Sequence, residues 1–237
     1  MSGSQSAPLH HPPRKRSSAS VARGLATAIH EQRIAPGAKL GEDEIGTIYG
    51  VSRTLVRAAL QQLAHDGLVN IERHRGAFVA RPSVREALEV FEARALLEPR
   101  TARSAAERAT PEDIVRLEAH LEAEHAALDA HEIGRALRLS GHFHLELARI
   151  ADQKAVSGFI ETLVSRSSLI IATYWRRKGA LCDSHAHHAL LAALAANDGQ
   201  QAEDLMKSHL LEVLSGLELR DGAEPPLSLR QALVRND

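Results

Sequence analysis

Between Ser18 and Val79 three short helical periods give way to a two-residue alternation, and few folds accommodate that order. Val21, Leu25, Ala28 and Ile29 form one apolar stripe of a helix predicted over 18–32. Ile34-Ala35-Pro36-Gly37 ends it, because proline cannot continue a helix and glycine permits the reversal. A second helix is predicted over Glu42–Tyr49 with Ile45 and Ile48 inward. A third follows from Arg53 to about Asp66 with Val56, Leu60 and Leu63 inward. Between them Gly50 suits the left-handed position after a helix, and Ser52 suits the N-cap of the next. Beyond Gly67 the period falls to two. Residues 68–72 and 77–79 read as strands joined by Arg73-His74-Arg75-Gly76. Three helices with a tight turn before the third, then a hairpin, describe a winged helix-turn-helix.

From Pro82 onward the strand signals stop. Amphipathic helices are predicted over 84–108, 111–128, 131–149, 155–174, 184–197 and 200–219. Pro99 should kink the first of these. The expected fold is therefore mainly α. A winged helix-turn-helix domain over 18–81 precedes an all-α antiparallel helical bundle over 82–220. The polar, Pro-rich residues 1–17 read as a disordered basic arm, and 221–237 as a weakly ordered tail. The arm lacks the apolar core of a signal peptide, and no apolar run approaches about 18 residues, so no membrane span is expected. Cys182 is the only cysteine, which excludes an intrachain disulfide framework and a Cys-rich zinc finger, and fits a cytoplasmic location.

The net charge of −1 conceals an asymmetry. Residues 1–80 carry 10 basic and 6 acidic side chains, whereas 81–237 carry 19 and 24. A basic first third suggests a nucleic-acid module joined to something else. Within it, Arg53 and Arg57 are four apart and share a helical face opposite Val56 and Leu60. With Ser52 and Thr54 they open the third helix, from which guanidiniums can reach guanine edges or phosphates. Arg73, His74 and Arg75 lie at the hairpin tip, where they can enter a minor groove or neutralise phosphates, and Gly76 permits a positive φ there.

Of 14 histidines, nine fall between His120 and His209. His144 shares a stripe with Leu137, Gly141 and Ala148; His187 with Leu190, Leu191 and Leu194; His209 with Ala202, Met206, Val213 and Leu217. Each therefore points into the bundle. Buried imidazoles need partners, so three of them imply a hydrogen-bond network, a metal, or a polar ligand cavity. Arg94 and Glu98, at i and i+4, can pair with each other, or Arg94 can face a cavity.

The segment from Leu40-Gly41-Glu42 through Val51-Ser52-Arg53-Thr54-Leu55-Val56-Arg57-Ala58-Ala59-Leu60, then Gly67-Leu68-Val69 and Arg75-Gly76-Ala77-Phe78-Val79, resembles the DNA-binding domain of GntR-family transcription regulators. Phe91 to Pro99, Phe143 to Ala148 and Ala192 to Asp198 resemble the FadR-type effector domain of that family, called FCD. Leu55, Ala58, Gly41 and Asp43 depart from the common residues, so no operator sequence carries over.

The resemblance implies a homodimeric, ligand-responsive regulator, more often a repressor, on pseudo-palindromic double-stranded operator DNA. It also implies that His144, His187 and His209 are metal ligands, the spacing favouring His187 over His185 or His188. The divalent ion would be zinc first, then nickel or another. The usual aspartate ligand is replaced by Ser140, which weakens such a site. A small carboxylate effector would use Arg94 and Ser140, with Arg166, Tyr174 and Trp175 as weaker candidates for lining or closing the cavity. Two other readings stand beside this one. One is a metal-independent pocket for an organic ligand. The other is a three-His zinc hydrolase fused to a DNA-binding module, which the absence of HExxH, G-x-S-x-G and P-loop patterns disfavours, so no enzymatic activity is expected.

Overall fold

The computed structural model describes residues 17–175 and 184–220. The predicted arm, all but Ser17, and the predicted tail lie outside the described residues, as does Cys182. Helix α1 (Ser18–His30) starts at a capping box in which Ser17 and Ser20 exchange side-chain and backbone hydrogen bonds. Then come β1 (Lys39–Leu40), α2 (Glu42–Tyr49), α3 (Arg53–His65), β2 (Val69–Glu72) and β3 (Gly76–Val79). The hairpin β2–β3 is joined by β1 on its other side, giving an antiparallel sheet of order β1-β3-β2 with Leu40 and Ile71 both opposite Ala77.

Strand β1 was not predicted, because two residues are too few to show a period. Ile48, expected inward, is 48% exposed. Its helix is only eight residues long and buries Ile45 alone. Val21, Leu25, Ile29, Ile45, Val56, Leu60 and Leu63 form one core, which Leu169 from the second half also enters.

The bundle comprises α4 (Val84–Ala106), α5 (Pro111–Asp129), α6 (Ile133–Ile150), α7 (Lys154–Tyr174), α8 (Ser184–Ala195) and α9 (Gly199–Ser215). Helix α4 is its hub, packed against α6, α7, α8 and α9, while α5 covers α6 and α8. It begins at a Ser83–Glu86 capping box and runs as one helical span through buried Pro99. Helix α7 is long and apolar enough to cross a bilayer by length and composition. Here it packs on α4 and α6 and also touches α1. The contacts of α1 with α6 and α7 bring the helix-turn-helix against the side of the bundle.

Candidate functional site

At the helix-turn-helix, Gly50 adopts φ 61°, ψ 45°, and Ser52, extended at φ −70°, accepts the Leu55 N–H on its hydroxyl. This turn sets the start of α3, leaving Ser52, Arg53, Thr54 and Arg57 exposed while Val56 and Leu60 are buried. Both arginines are engaged by α2. Arg57 Nε donates to Glu42 at 2.8 and 2.9 Å, and Arg53 pairs with Asp43. At the hairpin tip Arg73, His74, Arg75 and Gly76 are exposed, and Gly76 takes φ 101°. Arg75 pairs with Glu72 at 2.5 Å and lies over the Phe78 ring at 5.5 Å.

In the bundle a cavity of about 680 Å³ lies between α6, α7 and α9 and reaches α1. The three histidines meet at its wall. His144 comes from α6, His187 from α8 and His209 from α9. All three are buried, and one ligand atom from each falls within 4.8 Å of the others. Ring centroids are 5.6 Å apart for His144–His187, 5.3 Å for His144–His209 and 4.9 Å for His187–His209. His185 and His188 are exposed, so of the three neighbouring histidines only His187 joins the cluster.

Two buried glutamates that sequence reasoning did not place here hold two of the rings. Glu98 Oε2 stands 2.6 Å from His144 Nδ1, and Glu124 Oε2 stands 3.3 Å from His187 Nδ1. A carboxylate against Nδ1 selects the tautomer that leaves Nε2 as a free lone pair. Glu124 continues the buried stripe Leu117, Leu121 on α5, and a carboxylate on an apolar stripe was the available signal.

Glu98 is held from its other side by Arg94, whose Nε and Nη2 donate at 2.5 and 3.2 Å, while Nη1 donates to Ser167 at 3.1 Å. Arg94 thus does both things expected of it: it pairs with Glu98 and lines the cavity. Burial works to raise the Glu98 pKa, but Arg94 and His144 outweigh it and hold the carboxyl well below the ordinary range. His144 is shifted down, by burial first, with Glu98 opposing. His209 is shifted well down by burial and by its two imidazole neighbours. These directions describe an ionised Glu98 already neutralised by Arg94, beside neutral His144 and His209.

Among the described residues, His187 Nε2 and His209 Nδ1 are buried without hydrogen-bond partners. An orphaned Nε2 on His187, whose ring is backed by Glu124, and an orphaned Nδ1 on His209, beside His144 backed by Glu98, fit a divalent ion of the zinc class. Ser140 lies one helical turn before His144 and lines the cavity, in line with the sequence. Arg166 does not. It is directed to the junction between the two halves, within 3.6 Å of Glu86 and packed over Gly67, because Ser165 and Ser168 present the cavity-facing side of α7. Tyr174 also lies off the cavity, donating its hydroxyl to the Pro82 carbonyl, whereas Trp175 lines it. His30 and Arg138, which the sequence did not single out, line the end next to α1.

Comparison with known proteins accounts for both halves. The profile of the bacterial regulatory proteins of the gntR family matches residues 17–79, and that of the FCD domain matches 89–212. The chain belongs to the GntR family. The HTH-type transcriptional repressor RspR of Escherichia coli K12 is 31% identical to this GntR regulator over 183 residues, spanning 76% of this chain and 79% of that one. A solved structure of a putative GntR transcriptional regulator from Rhodococcus sp. RHA1 superposes with a TM-score of 0.71 at 25% identity, covering 84% of this chain and 95% of the other. The fold is shared with E. coli McbR/YncC, TM-score 0.75 at 22% identity, over the same fractions. The chain is therefore a DNA-binding transcription regulator of the GntR/FCD type and not an enzyme. Glu146, the carboxylate nearest His144 in sequence, pairs with Arg116 and Arg149 at the surface.

Proposed function

We propose that the chain is a homodimeric cytoplasmic repressor whose affinity for a pseudo-palindromic operator is set by a small carboxylate held in the histidine-lined cavity. The observation that carries this reading is the convergence of His144, His187, His209 and Arg94 on one cavity of an FCD domain. The repressor role draws on the relative RspR, which is named as one. The DNA-reading residues are Ser52, Arg53, Thr54 and Arg57 of α3 with Arg73, Arg75 and Gly76 of the hairpin. The boundary between the DNA-binding and effector domains falls at 81–82. The three histidines would hold a divalent ion, zinc before nickel, whose charge would attract a carboxylate. Arg94 and Ser140 offer that carboxylate further polar contacts.

Ser140 supplies no charge to this site, so a carboxylate introduced there should strengthen it. Elemental analysis should find a divalent metal in the wild type, more in Ser140→Asp after mild chelation, and none in His187→Ala. Operator titration of the same proteins should show DNA binding retained by His187→Ala, with its response to carboxylates reduced. A metal-free wild type that still responds to an organic acid would replace the metal reading with a metal-independent pocket.

A further inference from the structure

His30 is the last residue of α1, a helix of the DNA-binding half, yet it lines the cavity in the effector half. Its Nε2 is buried and has no hydrogen-bond partner among the described residues. Burial, then the nearby Arg138 guanidinium, lowers its pKa, which keeps the ring neutral. Arg138 of α6 lines the same end of the cavity and donates from Nε to Glu31 at 2.9 Å. One turn earlier on α6, Gly134 lies so close to α1 that a β-carbon would collide with the Glu31 carbonyl. One end of the cavity is therefore built on the seam where the DNA-binding half is clamped to the bundle.

The volume of about 680 Å³ exceeds what an acid of two or three carbons fills. Arg138 and His144 are six residues apart on α6, which places them about 9 Å apart along the helix axis. We propose that His30 and Arg138 bind the far end of the effector, and that the effector is a two-headed acid. One carboxylate sits at the three-histidine end, and a second anionic group is received by Arg138 and His30 across the seam. This deepens the effector reading above and rests on it.

The arrangement links occupancy to the DNA-binding half. A ligand shifts a conformational equilibrium only by its differential affinity for the two states, and a contact made to α1 itself supplies such a difference. The second anionic group also competes with Glu31 for Arg138, so its arrival weakens the α1–α6 clamp. With a proton on Nε2, the His30 ring donates a hydrogen bond to the incoming oxygen.

The test is calorimetric titration of the full-length protein with straight-chain α,ω-dicarboxylates of four to ten carbons and with monocarboxylates of the same lengths. Dicarboxylates of about six to eight carbons should bind the wild type at least about tenfold more tightly than the matching monocarboxylates. That advantage should disappear in His30→Ala and in Arg138→Gln and return in part in His30→Gln, each variant first shown to be folded by circular dichroism. An advantage of equal size in all four proteins would overturn the proposal. Equal affinity of the two acid series, with binding lost in His209→Ala, would overturn it while leaving the carboxylate cavity standing. Binding of neither series to the wild type would overturn both.

Discussion

The DNA contacts proposed for Arg53 and Arg57 compete with pairs that both arginines already make. Their guanidiniums lie against Asp43 and Glu42, while the proposed reading turns them toward base edges or phosphates. Both arginines are about two-thirds exposed, and such surface pairs are worth about 0–1 kcal/mol, so DNA can exchange them. Replacing either arginine with alanine should cost about 1–3 kcal/mol of operator binding, measured by fluorescence anisotropy, without changing the unfolding midpoint. Asp43→Asn should act in the opposite direction. It frees Arg53 and removes a negative charge from a surface facing phosphates, so operator affinity should rise by about two- to fivefold. Unchanged affinity in Asp43→Asn would mean that Arg53 does not contact DNA. The arginines themselves were legible from their i, i+4 spacing. Their α2 partners were not, since the pairing depends on how α2 crosses α3.

Elements were easiest to read where period and punctuation agreed. The turn at Gly50–Ser52 combined a left-handed glycine with an N-cap serine, and α2 ends and α3 begins where those residues place them. The three inward histidines were legible from the stripes of three different helices, because burial on a helix face is a local property. Glu98 and Glu124 were not assigned to those rings, since the contact between α5 and α8 that brings Glu124 to His187 is a long-range one. Arg166 was misplaced for a related reason: one step around α7 separates the cavity wall from the seam with the DNA-binding half. The closeness of α1 and α6 at that seam yields a direct test. Gly134→Ala forces a β-carbon onto the Glu31 carbonyl, and backbone has no rotamer by which to move away. The substitution would otherwise favour the helix, by up to about 1 kcal/mol for alanine over glycine. The expected result is instead a loss of about 1–3 kcal/mol in chemical denaturation. A stabilised Gly134→Ala protein would show that α1 and α6 are not held together in solution.

For the whole molecule, one reading head per chain poses a physical difficulty. A single α3 with one hairpin contacts a short stretch of DNA, and tight operator binding generally requires two such heads on half-sites about one helical turn apart. Two copies must then be joined, and the bundle offers apolar surface for it. Leu88 and Leu96 of α4 are 48% and 72% exposed, and Leu211 of α9, which packs against α4, is 63% exposed. Large aliphatic side chains left in water on two packed helices suit a surface covered by a second copy. The chain weighs 25.7 kDa, and light scattering at micromolar concentration should give about twice that mass. Leu96→Glu places a charge where two copies would meet, and should return the mass to that of one chain. The same variant should keep its helical circular dichroism, because an exposed leucine contributes little to the fold of the single chain. Its operator affinity should fall by far more than a single contact is worth, since one of two linked reading heads is lost. A dimer of unchanged stability in Leu96→Glu would move the interface to another face of the bundle, and a monomeric wild type would remove the two-headed mode of operator reading.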